Sequence, residues 1–445
     1  MTLSNPVRSG APVSLTVDKD ITDGFRIIGR FDQDKALVRN GAIVIQRSSS
    51  SDDFLIELRD GVFSNNRRAL RPSRPELISL STEGLFAAVE ECRITWKEAV
   101  MDLKVLKVEP AVPQVGETTV YPFEEAWENP VDEDDFRKLA ARLAVAGRML
   151  FDTVFDRDGI TVAQRLREVT AAGECVLTVS APDFHLPWSM LYTHPRPDES
   201  LADDGSNFDP RGFWGYQHIV EQFTNDHQVT DRLLPIEGKL HFGAAVNTEI
   251  SEICQPCLAG HHAFVQSHGG RLAYAEWTTK EQVRVALTTS PFETRIVYFL
   301  CHGDSAGLAT RAPALHLADG EIRSTDIRYW ISDRFLSNQP LVFINACRGG
   351  QVSTLMYKNA TFAQAFLERG AACMIGPQVE IPALFAGEYG RRFFENLLSE
   401  VDAPRQVGPV MRHLAQFFWD KRNPLGLVYS LYAGADCHVW WGDER

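Results

Sequence analysis

Two residues of this sequence are best placed to do chemistry: His302, in RIVYFLCHG (Arg295 to Gly303), and Cys347, in LVFINACRGG (Leu341 to Gly350). Each closes an apolar run, and glycine follows each group or the arginine after it. A thiol is mostly protonated at neutral pH and becomes an efficient nucleophile when a positioned imidazole lowers its pKa or takes its proton. Glycine beside each group permits the sharp turn that lifts a side chain out of a strand, and it lets a substrate approach backbone N–H groups. The pair therefore suits attack on a carbonyl, with His302 acting first as base and then as acid.

Such groups need rigid carriers. KLHFGAAVN (Lys239 to Asn247), RIVYFLCHG, LVFINACRGG and AACMIG (Ala371 to Gly376) are short, nearly continuous apolar runs, with helical patterns such as TTKEQVRVAL and FAQAFLERG between some of them. Strands buried on both faces and alternating with helices predict a mostly parallel α/β sheet, which binds ligands at the carboxyl ends of its strands. Alternation turns Cys301 away from the face of His302 and into the core, and Cys373 sits in an apolar run of the same kind. Asn345 shares a face with Cys347, so it either lines a pocket beside the nucleophile or satisfies backbone neighbours.

Ahead of these strands the chain reads differently. Residues 1–108 carry short strand-like runs punctuated by Asn40-Gly41 and Asp60-Gly61, which predicts a small β-rich module. VEPAVPQVGETTVYP (Val108 to Pro122) lacks periodicity and marks a linker over 109–130. A second domain, 131–445, opens with the acids of Asp132 to Asp135 before an amphipathic helix, and its catalytic core covers about 236–445. The polar stretch 196–212 reads as a solvated insertion, with a sharper reading as a cleavable regulatory loop. Trp188 and Trp214 read as core aromatics.

With 44% hydrophobic and 10% aromatic residues in 445, the chain can bury a large core. Its 59 acids against 45 bases give a net charge of −14, which disfavours nucleic acid and anionic lipid and favours a basic partner or substrate segment. The first residues lack a signal-peptide pattern and no apolar run is long enough to span a bilayer, so a cytoplasmic location is expected. The eight scattered cysteines suit reduced thiols rather than a disulfide framework. Cys254-Gln-Pro-Cys257 with His261 and His262 has ligand spacing, but no second pair follows, so no metal site is assigned. His268-Gly269 is a rival histidine after a weaker strand and reads as a turn.

Asn345-Ala-Cys-Arg-Gly349 differs from the caspase signature only by Asn for Gln, and His302 stands 45 residues before Cys347. Together with HLPWSMLYTH (His185 to His194), FWGYQHIVEQF, ALHLADGEI, GAACMIGPQVEIPALFAGEYGRRFF and NPLGLVYSLYAGAD, this order resembles the CHAT family of caspase-like cysteine peptidases over roughly residues 131–445. The resemblance implies a caspase-like sheet, a dyad of Cys347 and His302, an oxyanion hole from the backbone N–H groups of Gly303 and Cys347, and no cofactor. It also implies a dedicated protein substrate and a regulatory partner in a bacterial stress or antiphage defence programme. The acidic pair often found in the family is replaced by Pro382 and Ala383, leaving Glu380, Asp304 and Asp436 as candidates for a charged substrate pocket beside Asn345. Arg348 is turned away by alternation and no clear counter-charge of either sign is found, so a neutral residue before the cut is expected, with a basic residue as runner-up. The rival readings are a silent scaffold that binds a peptide in the cleft, and a hydrolase of nonpeptide acyl groups.

Overall fold

The computed structural model of the chain describes residues 37–48, 53–59, 61–63, 75–101, 121–156, 161–182, 184–194, 208–224, 233–236, 238–248, 255–304, 314–331, 338–346, 361–399 and 405–441. The first elements are strands β1 (Gly41–Arg47), β2 (Phe54–Arg59) and β3 (Glu76–Ile78), followed by helix α1 (Thr82–Met101). Next come α2 (Glu133–Phe155), α3 (Thr161–Ala172), β4 (Val176–Ser180), β5 (Ile219–Phe223) and β6 (Leu233–Ile236). The third stretch holds β7 (Leu240–Val246), α4 (Gln255–Ser267), β8 (Leu272–Trp277), α5 (Lys280–Thr288), β9 (Ile296–Leu300) and β10 (His302–Asp304). It continues with β11 (Ala314–Leu317), β12 (Gly320–Arg323), α6 (Ser324–Trp330) and β13 (Leu341–Asn345). The last are α7 (Phe362–Leu367), β14 (Cys373–Pro377), α8 (Ala383–Leu397), α9 (Val407–Asp420), β15 (Tyr429–Tyr432) and β16 (His438–Trp441).

Among the described residues, eleven strands form one sheet in the order β3-β2-β1-β4-β5-β15-β14-β13-β9-β7-β8. β14, β13, β9, β7 and β8 are mutually parallel, as the four apolar runs predict. β1, β4, β5 and β15 are also mutually parallel. The two sets run in opposite directions and join where β14 pairs antiparallel with β15. Helices cover both faces. On one, Phe343 of β13 packs its ring against Tyr389, Phe393 and Phe394 of α8. On the other, Val283, Leu287, Ile327, Phe362 and Phe366 join Val297, Phe299, Val342 and Ile344 in one buried cluster. Each such side chain, fully buried, contributes roughly 1.5–3 kcal/mol. The architecture is the expected α/β one, a mostly parallel sheet flanked by helices and preceded by N-terminal strands.

The N-terminal strands continue this sheet. β1 pairs parallel with β4 in the register Gly41↔Leu177, and residues 39–445 form one compact unit. The stretch expected to be only β-rich also holds the twenty-residue α1, whose buried Leu85, Val89, Cys92, Trp96 and Ala99 follow a helical period. The boundary expected near residue 108 falls in 102–120, outside the described residues. Part of the linker packs into the fold: Phe123 is buried and its carbonyl accepts from Asn423 Nδ2 at 2.9 Å. Helix α2 starts where the acids predicted, with Asp132 accepting from the N–H of Asp134 at 2.9 Å and of Asp135 at 3.3 Å.

Candidate active site

β9 and β13 have no exposed residue along their length, which is why both read as unbroken apolar runs. They pair in register from Leu341↔Ile296 to Asn345↔Leu300. His302 stands two residues beyond Leu300, and Cys347 two residues beyond Asn345, so equal steps from one paired row lead to both. At Cys301 the chain leaves the main sheet, and the His302–Asp304 backbone pairs antiparallel with β11 through His302↔His316 and Asp304↔Ala314. Cys301 itself is buried in the hydrophobic cluster, as alternation predicts. Cys347 and residues 348–360 lie outside the described residues, so the thiol half of the dyad and its oxyanion N–H are carried by sequence.

Asn345 supports the strand end, where its side chain is fully engaged in hydrogen bonds. Its Nδ2 donates to Tyr298 Oη at 2.8 Å and to the carbonyl of Ala386 at 2.6 Å, and its Oδ1 accepts from Tyr429 Oη at 2.7 Å. Three elements are tied by one amide: β9, α8 and β15. Burial, in the first place, raises the pKa of the Tyr298 hydroxyl and keeps it protonated. Gly390 makes the arrangement possible, because a Cβ there would stand 2.4 Å from Tyr298 Oη and 3.0 Å from Asn345 Nδ2.

The candidate pocket acids are not gathered at this end. Asp436 pairs with Arg39 at 2.8 Å, and Arg39 also grips the fully buried Glu221 of β5, which lies beyond β15 from the site strands. Burial alone would lower the Arg39 pKa, but hydrogen bonds with Asp436 and Glu221 outweigh it and raise the value. Glu380, just past β14, sits at the correct end of the sheet and is paired with Lys97 of α1 at 2.7 Å. Asp304 follows Gly303 in β10, next to His302.

The remaining sequence candidates fall into structural places. Cys257 donates its thiol hydrogen to the Ala383 carbonyl at 3.0 Å, and Cys254 lies outside the described residues. His261 is hydrogen-bonded to Tyr274 at 3.1 Å and His262 to Glu276 at 2.8 Å. Among the described residues no group of three His, Cys, Asp or Glu side chains could hold a metal ion. His268 closes α4 with Nδ1 at 3.0 Å from the Phe264 carbonyl. Trp188 and Trp214 are buried and stacked with centroids 5.8 Å apart. Of the 196–212 stretch only residues 208–212 are described, and there Phe208 stacks on Trp419 at 5.6 Å. Tyr298 and Tyr429 are the Asn345 partners that the sequence reading missed; Tyr298 gave a signal, as a polar group inside an apolar strand.

A protein-family model described as the CHAT domain matches residues 241–411, from the second residue of β7 into α9. No curated protein matches the chain. Among solved structures, the chain is similar to the Saccharomyces cerevisiae separase of a separase–securin complex, with TM-score 0.48 and 10% identity over 95% of this chain and 32% of that one. It is also similar to the Arg-specific cysteine proteinase gingipain R, with TM-score 0.37 and 12% identity over 80% of this chain and 76% of that one. The chain spans about a third of the length of the separase chain, 32%. No helix among the described residues is long and apolar enough to cross a membrane. The span 241–411 that matches the CHAT-domain model contains both His302 and Cys347.

Proposed function

We propose that the chain is a cysteine endopeptidase in which Cys347 attacks the scissile carbonyl and His302 takes the thiol proton and delivers it to the leaving amine. The observation that carries the reading is the row Asn345↔Leu300 in a CHAT domain, since the two candidate groups stand equal steps beyond it. The backbone N–H groups of Gly303 and Cys347 would hold the oxyanion of the tetrahedral intermediate, and water would then release the acyl group from the thiol. No cofactor takes part.

The substrate is a dedicated protein in a bacterial stress or defence programme, and activity stays low until a partner or signal acts, in keeping with a protease of a reducing cytoplasm. Glu380 and Asp436 are each held by a cation, and Asn345 is fully engaged, which supports a neutral residue before the cut. The test is labelling by an acyl-electrophile thiol probe together with cleavage of a peptide library. Cys347→Ala and His302→Ala should each abolish both, with the double variant scarcely worse than either, as members of one catalytic unit give nonadditive losses. Labelling and cleavage equal to wild type in Cys347→Ala would exclude the dyad. Labelling without peptide cleavage would favour nonpeptide acyl transfer, and neither would favour a silent peptide-binding scaffold.

A further inference from the structure

We propose that helix α1 is a positioning brace for the loop Gln378–Pro382, and that through this loop it sets the competence of the site; the second half of this proposal rests on the peptidase reading. The loop joins β14 to α8. The register Phe343↔Ile375 continues to place Pro377 level with Asn345, so the loop leaves the sheet beside the strand that reaches Cys347 two residues later. Its far end is tied to that strand as well, since the Ala386 carbonyl in the first turn of α8 accepts from Asn345 Nδ2 at 2.6 Å.

α1 grips the loop at two points. Arg93 and Lys97 stand four residues apart and so share one face of the helix. Arg93, 5% exposed, donates Nη2 to Gln378 Oε1 at 2.6 Å, and Lys97 Nζ lies 2.7 Å from the Glu380 carboxylate. Gln378 passes the hold onward: its N–H donates to the Val428 carbonyl at 2.8 Å and its Nε2 to Tyr432 Oη at 2.9 Å. Arg93 Nη1 is also paired with Glu90 Oε1 at 2.9 Å on the same helix, so the buried guanidinium keeps a counter-charge within α1 while its other arm fixes where the loop stands. Glu380, considered from sequence as a pocket acid, is on this evidence a handle for Lys97.

The side chains of Lys97 and Glu380 are 41% and 27% exposed, and a partly exposed pair adds little to global stability. Its loss therefore separates positioning from folding. In the full chain, Lys97→Glu, Glu380→Lys and the charge-swapped double variant are compared by amide hydrogen exchange over residues 376–386, by thermal unfolding and by cleavage of a quenched fluorogenic peptide library. Lys97→Glu should speed loop exchange by about tenfold and lower kcat/KM by about tenfold or more, because small misplacement near reacting groups costs orders of magnitude in rate. Its melting temperature should match wild type, and the swap should restore both exchange and cleavage. Unchanged exchange in Lys97→Glu overturns the brace, and faster exchange with unchanged cleavage overturns its link to the site. A wild-type chain that neither cleaves peptides nor labels at Cys347 sinks the peptidase reading instead, and exchange alone then decides whether α1 braces the loop.

Discussion

Tyr429 and Asn345, 84 residues apart in sequence, meet at 2.7 Å, with the tyrosine hydroxyl donating to the amide oxygen two residues before Cys347. The strand that would carry the nucleophile is thus fixed at its end from β15, and on its other sides from Tyr298 of β9 and the Ala386 carbonyl of α8.

Asn345→Ala removes the partner of all three groups at once. Each buried polar group left unsatisfied costs about 1–3 kcal/mol, so a loss of at least roughly 3 kcal/mol is expected by urea unfolding. The cleavage-site preference should stay as in wild type. A changed preference with unchanged stability would return Asn345 to the pocket.

Alkylation of the native chain should single out one thiol. The six described cysteines are all buried, and burial pushes the Cys92 thiol up to about 12 and the Cys175 thiol up to about 11. Cys373 is raised well above the ordinary range by burial, with a hydrogen bond to Cys437 adding to it. Limited iodoacetamide treatment followed by peptide mapping should find Cys347 modified about a hundredfold faster than any of these, as the proposed dyad requires an accessible thiolate there. Equal rates at Cys347 and Cys92 would contradict an activated nucleophile.

Acid should destabilise the fold in a defined window. Burial lowers His218 to about 3, helped by Arg412, and lowers His261 to about 4, helped by His262. Both imidazoles are neutral in the folded state and take up a proton near pH 6.5 when unfolded. The unfolded state therefore binds more protons between pH 6.5 and about 4, and stability falls as pH drops through that range, by about 1.4 kcal/mol per pH unit for each histidine at the steepest. Unfolding midpoints measured from pH 7 to 4.5 should show this slope, and His218→Gln should reduce it.

Arg39→Met should be among the most damaging single changes in the N-terminal half. It leaves the carboxylate of Glu221, which has no exposed surface, without its cation, although Thr178 Oγ1 at 2.9 Å and the Ala435 N–H at 2.8 Å remain. Breaking such a pair costs about 3–5 kcal/mol, and adding Glu221→Gln should recover part of it. Equal urea midpoints for wild type and Arg39→Met would show that the pair is solvent-screened.

The half that holds His302 and Cys347 was legible because strands buried on both faces leave an unbroken apolar run, as in IVYFL and LVFIN, and both runs lead to groups that chemistry singles out. The acid-led start of α2 was equally plain, since Asp132 caps the helix it precedes. What stayed hidden was pairing over distance. β1 does pair antiparallel with β2, and β2 with β3, as the local signals suggested, but its parallel pairing with β4, which joins Gly41 to Leu177, left no local signal. Asn345 could be read either as pocket lining or as satisfying its neighbours, because alternation gives a face and not the tyrosines waiting on it. Helix α1 was missed for another reason: its apolar period followed strand-like neighbours and a glycine stands in its first turn, although Ser81 Oγ caps it by accepting from the Gly84 N–H at 3.1 Å.

The place of β15 between β5 and β14 has a consequence for how the protein comes into being. A ribosome delivers β5, β14 and the Asn345 strand before Tyr429–Tyr432, so the sheet's two parallel halves have nothing to join them until that later strand has been made. The hydroxyl that anchors Asn345 arrives with that same strand. A nascent chain thus holds every residue of the proposed dyad without the contact that steadies it, and a would-be protease is kept unfinished while it is being made.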